Sequence, residues 1–142
     1  MSAIGVEEYV LKHFVKALQI KVISDVDTLV KEYPLFAAVN RAANVVSRHQ
    51  GRIIFLEYKP PQPAKKSLLL VGKGVTYDTG GADIKISGGM IGMSRDKCGA
   101  AAVAGFMQVS EPLVHFADKV HKNSVLTQYY FLRLLFRCFY EI

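Results

Sequence analysis

Two short apolar runs separated by a proline-rich break constrain this chain more than any other feature. Arg52–Tyr58 carries Ile53, Ile54, Phe55 and Leu56 without interruption, and Ser67–Val71 carries Leu68, Leu69 and Leu70. Runs of this length without polar alternation suit strands covered on both faces of a sheet. Between them, Lys59–Lys66 holds three prolines, which withhold backbone donors and predict a loop. The second run feeds at once into a glycine-rich stretch, Gly72–Gly92. After that comes Cys98–Val109, a predicted helix whose Ala100, Ala101, Ala102 and Ala104 allow close packing, with Pro112 at or just beyond its end. Strand, strand, glycine-rich loop and helix in that order predict an α/β layer fold, part of a three-layer αβα arrangement around a mixed or mostly parallel sheet.

The flanking segments fit that frame unevenly. Val6, Val10, Phe14 and Leu18 recur every four residues and predict a helix over Glu7–Gln19, followed by a short strand over Ile20–Ile23. Ser24 with Asp27 has the spacing of a capping box, and Val26, Leu29 and Val30 would face inward from the short helix it starts. Pro34 suits a first helical position. Leu35–Val46 is ambiguous, because its alanines favour helix while Asn40 and Asn44 favour interruption. At the far end, Tyr129–Ile142 is dense in aromatics and leucine. Arg133 and Arg137, four apart, predict one polar helical stripe opposite Leu134, Leu135 and Phe139. That helix has three readings: an amphipathic membrane-surface anchor, a core or interface helix, or a segment foreign to the rest of the fold. The chain accordingly divides into residues 1–110 and a divergent hydrophobic tail, 111–142.

Composition excludes several function classes. The chain has 142 residues, enough for one domain with its own core. The formal charge of +6 is scattered in short pairs such as Lys65-Lys66 rather than gathered in a tract, so nucleic acid is not an expected partner. Cys98 and Cys138 are far apart and form no paired metal motif, which fits a reducing compartment. Met1–Glu8 lacks the basic leader and apolar run of a secretory signal, so a cytoplasmic location is expected. His13, His49, His115 and His121 show no HExxH spacing, and no GxSxG elbow offers a serine nucleophile.

The chemistry concentrates in Val71–Gly99. A strand end delivers Lys73 and Asp78, Gly74, Gly80 and Gly81 allow tight turns around them, and Lys85 and Asp96 follow in the same loop system. A lysine among carboxylates has two meanings. Protonated, it is an ion-pair partner or an electrophile beside a substrate oxygen. Deprotonated, it ligates a metal whose charge favours loss of the proton, with Asp78 and Asp96 as hard oxygen ligands for zinc, manganese or magnesium. Residue types alone leave a metal site and a structural ion-pair network both open. A phosphate cradle fits less well, since Gly72-Lys73 is followed by Gly74 where Ser or Thr is needed.

The run Lys73-Gly74-Val75-Thr76-Tyr77-Asp78-Thr79-Gly80-Gly81, followed by Lys85 and by Met93-Ser94-Arg95-Asp96-Lys97-Cys98-Gly99, resembles the leucyl (cytosol) aminopeptidase family of two-metal exopeptidases. The resemblance spans about Val10 to Gln108. It implies that Lys73 and Asp96 ligate one metal, that Asp78 bridges both, and that Lys85 is the catalytic lysine polarising the scissile carbonyl. It further implies release of N-terminal residues such as leucine from peptides, two divalent ions (zinc or manganese) in the complete site, and assembly into oligomers. The sequence departs from the family in Phe36–Asn44, which lacks the usual glycine, and in Cys98, which replaces a frequent glycine. Between Val109 and Ile142 there is no Asn-Thr-Asp-Ala-Glu-Gly-Arg run, the family's second signature. The expectation is therefore an incomplete, inactive portion of a catalytic domain holding at most one ion weakly. The alternative is a non-catalytic or decoy subunit that joins a full-length aminopeptidase, with membrane attachment through the tail as a lesser variant.

Overall fold

The computed structural model describes residues 2–14, 18–58, 67–77, 83–120 and 129–137, with 67–68, 110–120 and 129–137 described as backbone. The chain opens with helix α1, Ala3–His13, capped by Ser2, whose hydroxyl accepts from the Gly5 amide at 3.1 Å. Strand β1, Leu18–Ile23, follows, and Leu18 lies in this strand rather than in the predicted helix. Asp25, not Ser24, caps α2 (Val26–Glu32), because its carboxylate reaches the Thr28 amide at 2.8 Å. Within α2 only Leu29 is buried, and Val26 and Val30 are exposed. Pro34 begins α3, Pro34–Asn44, as its fixed φ suits. A 3-10 turn at Ser47–His49 leads into β2, Arg52–Tyr58, and β3 spans Ser67–Val75. Helix α4 runs Cys98–Val120, passing Pro112, and β4 is Tyr129–Arg137. The predicted stop at proline fails because Leu113, Phe116 and Val120 resume helical spacing beyond it.

The four strands lie in the order β1-β2-β4-β3. β1 pairs with β2 and β2 with β4 antiparallel, and β3 pairs with β4 parallel. The sheet is thus mixed, and the expectation of a mostly parallel sheet is corrected. Burial on both faces was the signal for parallel pairing, but helices cover both faces of β2 here whatever its direction. Ile23 pairs with Ile53, so the α2–α3 excursion returns the chain to the end of β1 it left, which makes the pair antiparallel. The expected C-terminal helix is also corrected. Tyr129–Arg137 is a strand, rich in the aromatic residues that favour pleated structure. The spacing of four between Arg133 and Arg137 is even, so it fits a two-residue period as well as a helical one.

Two apolar clusters lie on opposite faces of β2. Ala3 and Val10 of α1 and Ala100, Ala104 and Met107 of α4 pack with Ile54 and Leu56. Leu29 of α2 and Phe36 of α3 pack with Ile23 and Ile53. Adjacent Ile53 and Ile54 serve different clusters because successive side chains leave a strand on opposite sides. The result is an αβα arrangement. Arg52 ties α1 to β2: its Nε donates to the Glu7 carboxylate at 2.6 Å and its Nη1 to the Gly51 carbonyl at 3.0 Å. No helix among the described residues is long and apolar enough to cross a membrane.

Candidate metal centre

The site grows from the close approach of β3 to the start of α4. A Cβ on Gly72 would stand 2.6 Å from the Ala100 Cα and 2.8 Å from the Gly99 carbonyl oxygen, and a Cβ on Gly99 would stand 3.1 Å from the Lys73 amide nitrogen. Both contacts are with backbone, which cannot swing aside. Two glycines facing each other across the strand–helix junction therefore let the two backbones nearly touch. Reading the sequence for ligands passed over this pair. Its signal was a glycine late in the strand followed by a run of small residues at the helix start.

That junction brings two of the expected site residues together. Lys73, near the carboxyl end of β3, puts its Nζ 3.1 Å from Asp96 Oδ2. Asp96 closes the 3-10 turn Met93–Arg95, its amide donating to the Met93 carbonyl, two residues before α4 begins. Its side chain is 29% exposed and that of Lys73 is 65% exposed, so the pair is open to solvent on the lysine side. Beside it, the Lys97 Nζ donates to the Ser94 carbonyl at 2.6 Å, which holds the turn in shape. Lys85 is partly buried, next to a sharp turn in which Ser87 and Gly88 take left-handed φ of 54° and 81°. Asp78, expected to bridge two metals, lies outside the described residues.

Two donors bound about 2.1 Å from one cation, at angles of 90° to 110°, lie about 3.0–3.4 Å apart. The 3.1 Å between Lys73 Nζ and Asp96 Oδ2 falls in that range, so their spacing is compatible with neighbouring positions around a divalent ion. With the lysine protonated, the same spacing is an ordinary ion pair. Among the described residues no three His, Cys, Asp or Glu side chains gather.

Fold and site together are those of an αβα domain with a lysine–carboxylate pair near a strand end. Residues 2–126 match the cytosol aminopeptidase family, catalytic domain, and the chain belongs to that family. It is 46% identical over 114 residues to an aminopeptidase of Caenorhabditis elegans, covering 80% of this chain and 22% of the relative. It is 38% identical over 123 residues to a cytosol aminopeptidase of Mycoplasma genitalium, covering 83% of this chain and 26% of the relative. The bottromycin maturation enzyme BotP, solved with manganese, superposes with a TM-score of 0.68 at 28% identity, over 96% of this chain and 25% of that one. The chain thus spans about a quarter of the length of the curated relatives it matches. The family comprises metal-dependent aminopeptidases that act on peptide N-termini, normally bind two divalent metals and often assemble into oligomers.

Proposed function

We infer that this chain carries the lysine-bearing half of a metal-dependent aminopeptidase site in the cytoplasm. Lys73 and Asp96 would hold one divalent ion, zinc or manganese, Asp78 is the further metal ligand that the family motif implies, and Lys85 would supply positive charge to the peptide carbonyl. The observation that carries the reading is the 3.1 Å approach of Lys73 to Asp96, set by Gly72 against Gly99, in a chain of this family. When bound, such ions lower the pKa of a water molecule and polarise the peptide carbonyl.

The chain's own groups do the positioning. The backbone contact at Gly72 sets the distance from β3 to the start of α4, beside the Asp96 turn. Lys73 would ligate through its amine nitrogen, and Asp96 would offset part of the ion's charge. Lys85 would supply positive charge to the carbonyl oxygen of a bound peptide. Losing a donor of that kind costs ~3 kcal/mol of barrier in comparable sites. Every group assigned here falls within residues 1–110. Substrates are peptides with a free amino terminus, leucine among the residues released, and the assembly is a homo-oligomer or a hetero-oligomer with longer aminopeptidase chains.

The 142 residues contain no Asn-Thr-Asp-Ala-Glu-Gly-Arg run. On their own they are therefore expected to hydrolyse a leucine amide no faster than Mn²⁺ or Zn²⁺ alone, while still binding about one ion per chain in calorimetry. Asp96→Ala should weaken that binding by more than about tenfold, since even losing an outer hydrogen-bond partner of a ligand costs about 10–100-fold. A folded sample that takes up no ion would refute the metal assignment. Turnover abolished by Lys85→Ala would refute the claim that these residues are insufficient.

A further inference from the structure

A second cleft, on the opposite flank of the sheet from α4, is not used by the metal centre. It lies between α2 and α3, with a volume of about 320 Å³, at the small end of the range for ligand sites. Its apolar wall is Val26, Leu29 and Val30, of which only Leu29 is needed for the core. Its polar wall is Asn40, Arg41 and Asn44, all on α3. Asparagine is a poor residue for a helix interior, and α3 places two at a spacing of four, so both lie on one flank. These are the residues that made Leu35–Val46 ambiguous as sequence, and neither the core nor the metal centre accounts for them.

Asn40 is only 3% exposed, and its Oδ1 is buried without a hydrogen-bond partner among the described residues. A buried amide oxygen left unpaired costs about 1–3 kcal/mol. Gly51 confines the same atom from below, since a Cβ there would come within 2.5 Å of Oδ1 and 2.7 Å of the Phe36 ring. The cleft combines an aliphatic wall, the Arg41 guanidinium and the Asn40 and Asn44 side chains.

We propose that the cleft between α2 and α3 binds a small aliphatic carboxylate, with the carboxylate on Arg41 and Asn44 and the branched chain against Val26, Leu29 and Val30. Arg41 is exposed and meets a carboxylate through paired donors. A free aliphatic amino acid adds an ammonium group. A fatty acid of the same skeleton lacks it. The two sources share one anchor and differ in that group. The proposal stands independently of the aminopeptidase reading, since it uses none of the residues assigned there.

The test is a titration of the isotope-labelled 142-residue chain, followed by amide chemical shifts, with L-leucine and with 4-methylpentanoate. Saturable shifts confined to α2 and α3 are expected with at least one of them. Arg41→Gln should weaken the response about tenfold, as loss of a charge-assisted pair does, and Val30→Glu should abolish it. Both substitutions are at exposed positions, so the spectrum reports directly that the variants remain folded. Tighter binding of leucine supports a free amino acid as occupant, and equal binding supports the carboxylate anchor alone. No shifts with either compound would overturn the proposal. So would shifts that persist in Arg41→Gln and vanish in Lys73→Met, since these would assign the binding to the metal centre.

Discussion

β2 and β3 are nearly the same as sequence and opposite as structure. β2 carries Ile53, Ile54 and Leu56, each 0% exposed, because helices close over both of its faces. β3 carries Leu69 and Val71, 58% and 65% exposed, on the side away from α4. It is also the terminal strand of the sheet, whereas β2 has a partner on each side. The apolar run encodes a strand in both cases but does not encode how many layers cover it. The less covered strand is the one that carries Lys73. A site for an ion and a substrate needs a strand end that a second layer has not sealed, whereas a core needs the reverse.

Substitutions can break this contrast at either strand. Ile54→Ala in β2 removes a side chain buried between α1 and α4 and should cost about 3–4 kcal/mol in urea denaturation, since the surrounding helices cannot collapse into the gap. Gly72→Ala should cost about 2–3 kcal/mol through overpacking against the Ala100 backbone. It should also weaken ion binding by prising Lys73 from Asp96, whereas Ile54→Ala should spare binding in the folded fraction. Asp25→Ala, at the cap of the helix that roofs the β1–β2 side, should cost ~1 kcal/mol. Leu69→Ser on the open face of β3 should stay within about 0.5 kcal/mol of the parent. A Leu69→Ser cost as large as that of Ile54→Ala would show that the open face is covered in solution.

Acid should sharpen the same division, because His49 sits just ahead of β2 on the sealed side. Burial, and secondarily the Arg48 charge, holds its imidazole below the usual 6.5. The unfolded chain then takes up the proton first as pH falls. The His49 contribution is intact above about 6.5 and is lost as pH drops through that value toward the lower folded-state value. Urea midpoints measured between pH 7.5 and 5.5 should decline, and His49→Gln should flatten the decline.

Much of the fold was legible where local chemistry decides it. β2 begins and ends at the predicted residues, Pro34 opens α3 as its ring geometry requires, and α4 begins at Cys98 where the alanine run starts. What was not legible depends on distant parts of the chain. The direction of β2 against β1 follows from where the α2–α3 excursion returns. The strand at Tyr129–Arg137 follows from an open slot between β2 and β3, which no local period reports. Of the site, the motif named Lys73 and Asp96, which the structure brings to 3.1 Å of each other. The Gly72–Gly99 contact beside them was not legible, because a glycine shows its purpose only once the facing backbone is known.

The central claim is that Lys73 and Asp96 share a divalent cation. Crystals of the chain grown with Mn²⁺ or Zn²⁺, with anomalous data at the metal edge, test it most directly. The account predicts one ion about 2.1–2.3 Å from Lys73 Nζ and from a carboxylate oxygen of Asp96. A fully occupied ion elsewhere, with the lysine still paired to the aspartate at its present spacing, would contradict it.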